Sequence, residues 1–364
     1  MRNRDPNDRL DRSVLPMNVI GKLRWIYPPV AATFKRTGGP SMRCCIFAIA
    51  LILAANSAFA APLPATPQWS VPDISKLPDD DWGRTVRYGH DLLSKTASLI
   101  GPEAKDASHR FAGNNLNCQS CHMDAGTKQF GLPFQGVFAD FPNYRARSGS
   151  VGTIEDRING CMTRSMNGKP LPLESREMTA MVAYMKFLST GIPVGAKTVG
   201  RGSGTMPELT RAADPQHGGA IYASTCASCH GAGGLGQRSG KIGDGQGYTF
   251  PPLWGPDSFN DGAGMARLIS AANFIHSNMP YGATWKNPTL SAQDAWDVAA
   301  YLESKPRPHR TNLDKDFPNR LEKPVDASYG PYADSLPAAQ HKFGPFKPIR
   351  DADAAHKSGS TAKP

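Results

Sequence analysis

Apolar residues recur at helical spacing in two stretches of the chain. Met178, Met181, Val182, Met185 and Leu188 fall on one face of a helix predicted over 175–188. Ala295, Val298, Ala299 and Leu302 form the corresponding stripe of a helix that opens at Ser291. Ser291 and Asp294 suit that second helix start, where a hydroxyl can accept from unpaired backbone N–H groups and a negative charge meets the positive end of the dipole. Both stripes read as core-facing surfaces, and both helices carry a tyrosine, Tyr184 and Tyr301. Upstream, 81–99 looks helical ahead of Cys118, and 218–223 leads as a helix into Cys226. The chain is thus predicted to be mainly α and to repeat one plan in two fused domains.

Punctuation residues place the boundaries. The stretch 189–214 contains Gly191, Pro193, Gly195, Gly200, Gly202, Gly204 and Pro207, a linker composition. The expected organisation is therefore a domain over 61–190, a linker over 191–212, a second domain over 213–310 and a Pro-rich C-terminal tail over 311–364. The tail has no helical period; it includes Tyr329-Gly330-Pro331-Tyr332 and Gly344-Pro345-Phe346. Its aromatic residues suit packing over a domain and its composition suits a loose tail, and the sequence does not choose. Residues 42–60 read Met-Arg, an apolar run over 44–55 and Ala58-Phe59-Ala60 before Ala61, the layout of a secretory signal peptide. The mature chain is expected to begin near Ala61, exported to the periplasm. An uncleaved anchor is the lesser alternative, since the run is short of the roughly 20 residues that a membrane span needs. The preceding 1–41 resemble no export signal, and translation is expected to start at Met42.

Composition sharpens this picture in two ways. With 36 Gly and 32 Pro among 364 residues, the domains should be small and rich in loops. The net charge of +10 would suggest a nucleic-acid or membrane partner, but residues 1–60 hold nine Lys/Arg against three Asp/Glu and leave +4 for the rest. No nucleic-acid partner and no stable membrane insertion are expected. The mature chain keeps Cys118, Cys121, Cys161, Cys226 and Cys229, an odd number for an exported protein.

Four of these five lie in Cys118-Gln-Ser-Cys121-His122 and Cys226-Ala-Ser-Cys229-His230, two copies of the C-x-x-C-H pattern of c-type haem attachment. Two thiols a short turn apart can add to the two vinyl groups of one porphyrin, and the next residue must be a histidine that reaches the iron. A zinc site wants about 15 to 20 residues between its cysteine pairs, whereas 104 separate Cys121 from Cys226. A redox dithiol does not require the following histidine. The expectation is two cytochrome c domains, each with one covalently bound haem c, with Cys118, Cys121, Cys226 and Cys229 attaching the cofactors and His122 and His230 on the irons.

Each iron has a second axial position. In the second domain Met279, in Asn278-Met279-Pro280-Tyr281-Gly282, is preferred over Met265 and His276 because a Pro/Gly loop is a poor place for core filler. In the first domain the corresponding loop runs from Arg157 through Cys161, Met162, Arg164, Ser165 and Met166. Met162 lies 22 residues before Tyr184 and Met279 lies 22 before Tyr301, while Cys161 lies 23 before Tyr184. The repeat locates the loop but does not separate Cys161 from Met162. Cys161 is favoured as an unpaired thiol flanked by Arg157 and Arg164, whose charge supports a thiolate; the alternative is a buried inert cysteine with Met162 or Met166 on the iron. Arg145, Arg147, Arg157, Arg164 and Lys169, set against Glu155 and Asp156, suit a small dianion, and equally a solvated face or propionate partners.

The stretch Arg157-Ile-Asn-Gly-Cys161-Met-Thr-Arg164-Ser165-Met-Asn-Gly between two C-x-x-C-H motifs resembles the dihaem thiosulfate dehydrogenases that form tetrathionate. The resemblance covers nearly the whole mature chain, including Gly113-Asn-Asn-Leu-Asn-Cys118 and the tail segments Lys315-Asp-Phe-Pro-Asn and Lys323-Pro-Val-Asp. It implies that Cys161 is the distal ligand of the active-site haem, that Arg147 and Arg157 line the substrate pocket, and that Arg164 and Ser165 match the loop's Arg-Ser pair; Arg147, Arg157 and Arg164 are expected to hold the sulfonate groups. It further implies thiosulfate and tetrathionate as substrate and product, and a soluble cytochrome c as electron acceptor. Some members carry a lysine just before the second-haem methionine that exchanges with it; Asn278 stands there, so no such switch is expected. A more distant resemblance is to the cysteine-ligated cytochrome subunit of the periplasmic sulfur-oxidising system. The competing expectations are a dihaem electron carrier that thiosulfate alone cannot reduce, and the same site working as a tetrathionate reductase.

Overall fold

A computed structural model describes residues 68–361. The expected signal peptide, the Met42 start and the Ala61 cleavage point lie outside the described residues. Among the described residues no helix is long and apolar enough to cross a membrane.

Two helical bundles follow one another. The first contains α1 (Asp81–Ser94), α2 (Ile154–Met162) and α3 (Arg176–Leu188), and the second contains α4 (Pro215–Ile221), α5 (Leu268–Asn278) and α6 (Ala292–Ser304). Sheet structure among the described residues is confined to two small antiparallel hairpins. In the first, β1 (Asn143–Arg145) pairs with β2 (Ser150–Gly152), with Arg145 opposite Ser150.

Local chemistry sets the helix starts. The Asp80 carboxylate accepts from the Gly83 N–H at 2.7 Å to start α1, and Ser175 accepts from Met178 to start α3. Ser291 accepts from the Asp294 N–H at 3.1 Å, as expected for α6. Asp214 caps α4, which has Pro215 in its first turn. The two expected stripes are buried: Met178, Met181, Met185 and Leu188 enter the first core, and Ala295, Val298 and Ala299 the second. Helix α2 was expected as a loop, and α5 was not expected at all. Thr153 and Asp156 form a reciprocal cap at the start of α2, and Ile154, Ile158 and Met162 bury one side of it. In α5, eight residues are buried, so the helix shows no polar face to betray its period.

Both bundles are held by the same crossing. Helix α1 packs on α3, and α4 on α6, with a glycine at each close approach. A Cβ on Gly89 would strike the Ala180 carbonyl and lie 2.7 Å from Tyr184 Cβ, and one on Gly218 would strike the Asp297 backbone. Asp297, itself buried, gathers Arg211 at 2.8 Å, the Asp214 N–H at 2.8 Å and His217 Nδ1 at 3.0 Å around that second crossing.

The linker and tail are packed segments. Gly200 and Gly202 accept from Phe130 and Leu132 of the first bundle, while Ser203 accepts from Ser277 Oγ and Met206 donates to Asn273 of the second. The tail, expected to lack a helix, ends in α7 (Lys347–Thr361). Phe346 and Ile349 sink into the second core, and Lys347 pairs with Asp351 one turn on at 2.7 Å. The helix has too few apolar residues to show a period, yet they suffice to dock its first turn.

Gly89→Ala and Gly218→Ala should each overpack a crossing and cost about 1–3 kcal/mol, lowering the thermal midpoint of the holoprotein by several degrees. An unchanged midpoint would show that the helices separate there without loss.

Candidate active site around Cys161

Each C-x-x-C-H motif is seated by the same device. In the first, Thr96 Oγ1 accepts from the Cys118 N–H at 3.0 Å and Asn117 Oδ1 accepts from the Ala97 N–H at 2.9 Å. His122 Nδ1 contacts the Leu132 carbonyl at 2.5 Å, and the ring stacks on Phe134 with centroids 4.2 Å apart. In the second, His230 Nδ1 contacts the Pro251 carbonyl at 2.8 Å. A carbonyl can only accept, so each Nδ1 carries the proton and each Nε2 offers a lone pair for a metal. Two adjacent thiols and an imidazole fixed through Nδ1 match what a covalently held haem requires.

Cys161 faces the first of these centres. It sits in the last turn of α2, one turn after Arg157, so both side chains share a face. Arg157 Nη1 lies 2.7 Å from Cys161 Sγ. Burial alone would push the Cys161 thiol up, but the Arg157 charge and then His122, by hydrogen bond and charge, outweigh it and hold the thiol at about 6. Burial instead pushes Cys118 up to about 11 and Cys121 up to about 12. Cys161 is therefore the distinct thiol of the three. Met162 and Met166 are only 1% and 3% exposed and belong to the first core.

The arginines divide into two groups. Arg145, from β1, lies close enough to Arg157 and Cys161 to feel their charges; burial, then Arg157, pull its pKa down. Arg147 and Arg164 instead converge on Asp316 of the tail, at 2.8 and 2.7 Å, and on the Gly262 carbonyl of the second bundle, at 3.2 and 3.1 Å. Lys169 lies over the Phe111 ring, 5.2 Å from its centroid. Glu155 and Asp156 occupy the first turn of α2, where Asp156 completes the cap. Ser165 is half-buried; its carbonyl accepts from Asn114 Nδ2 at 2.9 Å, and its hydroxyl has no partner among the described residues. Sequence reasoning did not single out Asp316 or Tyr329; it placed Arg145 in the basic cluster suited to a dianion but not among the site residues that the family resemblance implied. A groove of about 700 Å³ lined by Phe141, Val194, Thr198 and Arg201 among others includes none of these groups.

The second centre places Met279 immediately after α5, its N–H bonded to the Ile275 carbonyl at 2.8 Å and its side chain against the second core. Met265 packs on the same core, and His276 lies within α5 with Nδ1 buried and unpartnered. Asn278, where a lysine stands in some related proteins, is fully buried and ties the bundles together by donating to the Phe130 carbonyl at 2.9 Å.

The two bundles with their attachment turns define a two-domain cytochrome c. Residues 105–194 match the family described as SoxA/TsdA, cytochrome c domain, and residues 213–302 match cytochrome C oxidase, cbb3-type, subunit III. The thiosulfate dehydrogenase of Allochromatium vinosum is 42% identical over 265 residues, 72% of this chain and 92% of the relative. That of Thiomonas intermedia is 39% identical over 268 residues, 70% of this chain and 80% of the relative. The solved thiosulfate dehydrogenase TsdBA of Marichromatium purpuratum superposes with a TM-score of 0.60 at 34% identity, over 70% of this chain and 52% of that one. The chain thus spans about half of that solved protein. A shorter match, 31% over 113 residues, is to the SoxA subunit of the L-cysteine S-thiosulfotransferase of Rhodovulum sulfidophilum. The chain belongs to the thiosulfate dehydrogenase family.

Met162→Leu conserves volume and should cost under about 1.5 kcal/mol while leaving the visible spectrum of the holoprotein unchanged. A changed ligand-field spectrum would put the Met162 sulfur on the iron in place of Cys161.

Proposed function

We propose that the protein joins two thiosulfate ions into tetrathionate and releases two electrons, and that Cys161 is the group that handles sulfur. The observation that carries this reading is the Arg157–Cys161 pair: a half-buried thiol whose sulfur lies 2.7 Å from a guanidinium, a partner that favours the thiolate and matches a tetrahedral oxyanion. Cys118, Cys121 and His122 would hold one haem c, and Cys226, Cys229 and His230 the other, with Cys161 and Met279 as the further sulfur ligands of the first and second site. When bound, these haems supply the one-electron acceptors through which the two electrons reach a soluble cytochrome c in the periplasm.

The protein's own residues perform the sulfur chemistry in two balanced steps. The Cys161 thiolate bonds to the sulfane sulfur of one thiosulfate, giving a Cys–S–S–sulfonate adduct with loss of two electrons. The sulfane sulfur of a second thiosulfate attacks the outer sulfur of that adduct, as in thiol–disulfide exchange. The bond to Cys161 breaks, tetrathionate leaves, and the thiolate is restored without a net proton. Each step brings a thiosulfate dianion up to another anion, first the Cys161 thiolate and then the sulfonate of the adduct, and Arg157 with Arg145 offsets that repulsion. Arg147 and the Ser165 hydroxyl complete the grip on sulfonate oxygens. Arg164, whose two terminal nitrogens are taken by Asp316 and Gly262, shapes the cluster instead.

Cys161→Met should retain both haems but lose thiosulfate-dependent haem reduction, followed by the visible spectrum; retention of most activity would remove the sulfur adduct from the scheme. Arg157→Ala should raise KM for thiosulfate about tenfold or more, equivalent to about 1.4 kcal/mol or more of lost binding. An unchanged dependence on thiosulfate concentration would move the anion site elsewhere.

A further inference from the structure

One carboxylate stands among the arginines of the first bundle, and it comes from the tail. Asp316 Oδ2 accepts from Arg147 Nη1 at 2.8 Å and from the Tyr329 hydroxyl at 2.7 Å, while Oδ1 accepts from Arg164 Nη2 at 2.7 Å. The Tyr329 oxygen in turn accepts from Arg147 Nη1 at 3.0 Å. The next residue holds the other end of the same arginine: the Phe317 N–H donates to the Arg147 carbonyl at 2.8 Å, and the Phe317 ring centroid lies 5.0 Å from the guanidinium carbon. The side chains of Asp316 and Arg164 are 9% and 13% exposed, so the cluster is largely shielded from salt.

A guanidinium presents five N–H donors in a rigid plane. In Arg147 every side-chain hydrogen bond falls on Nη1, and Nε and Nη2 have no hydrogen-bond partner among the described residues. Those two nitrogens form one edge of the fork, the edge that can grip two oxygens of a tetrahedral oxyanion at once. We propose that Asp316, supported by Tyr329, is a positioning residue that fixes Arg147 by one nitrogen so that its Nε/Nη2 edge is held ready for a sulfonate group. This rests on the dehydrogenase reading above. Holding the side chain beforehand removes an ordering cost that binding would otherwise bear.

The carboxylate has two opposed effects on an anion. Its charge repels the substrate, and its geometry prepares the fork. The sign of the response to Asp316→Asn therefore decides which dominates. The test uses holoprotein: thiosulfate binding by calorimetry to protein kept reduced, so that no electron can be accepted, together with KM and kcat with ferricyanide as acceptor. Asp316→Asn should weaken binding and raise KM about tenfold, with kcat changed by no more than about twofold. The effect should vanish in an Arg147→Ala background. Tyr329→Phe, which removes one hydroxyl and keeps the ring, should raise KM about threefold and serves where Asp316→Asn fails to fold.

Tighter binding in Asp316→Asn would overturn the proposal, as would a KM increase of the same size in the Arg147→Ala background, the mark of a merely structural role. Wild-type protein that binds thiosulfate but is not reduced by it would refute the dehydrogenase reading, while the binding comparison would still judge Asp316. Wild-type protein that does not bind thiosulfate would overturn the proposal outright.

Discussion

An imidazole has two nitrogens, and the architecture depends on spending one of them on the backbone. His122 gives Nδ1–H to the Leu132 carbonyl and His230 gives its own to the Pro251 carbonyl. Each contact ties an attachment turn to a loop ten or more residues away and fixes the direction of Nε2. The loops are held in turn. Leu132 is fastened to the linker through Gly202, and the chain after Pro251 returns through the Leu253 N–H to the Gly234 carbonyl near the second motif. The helix crossings at Gly89 and Gly218 supply rigid scaffolds, but the orientation of the candidate metal-binding nitrogens is decided in irregular chain.

That arrangement explains why the motif residues around the cysteines are so polar. Asn114 donates to the Ser165 carbonyl and, across the seam, to the Ser258 carbonyl. Asn115 meets Asp257 of the second bundle, which also accepts from Tyr248, while Arg238 pairs with Glu103. Asn260 returns the favour by donating to Thr163 and Asn167, just past Cys161. Buried polar groups of this kind stay only when satisfied, so the seam has a defined register. The Cys161 segment is gripped from both bundles.

Much of this was legible and some was not. The attachment motifs, the capped final helices and their stripes could be read because they are local signals: a fixed spacing, a serine at a helix start, a period of 3.6. Cys161 stood out as an unpaired thiol, but its helix did not: Ile154, Ile158 and Met162 do fall at helical spacing, yet the helix is only nine residues long and Asn159 and Gly160, weak helix formers, read as a turn. Helix α5 hid for the opposite reason, being buried nearly all round. The arginines read as one basic cluster, whereas the fold splits them between a thiol and a carboxylate. The pairing of Arg147 with Asp316 spans 169 residues, and no local pattern announces a contact at that distance. The only sign was the likeness of Lys315-Asp-Phe-Pro-Asn to related chains, which marked the segment without giving its role.

The Gly262 carbonyl adds a consequence of another kind. It belongs to the second bundle, yet it accepts from two arginines of the first, and Asp316 reaches the same pair from beyond the second bundle. The two halves are thus not interchangeable cassettes. Exchanging the second bundle for that of another cytochrome would remove the backbone turn on which Arg147 and Arg164 rest, so a graft would have to carry a matching turn at Gly262 and keep the Asp316 carboxylate downstream.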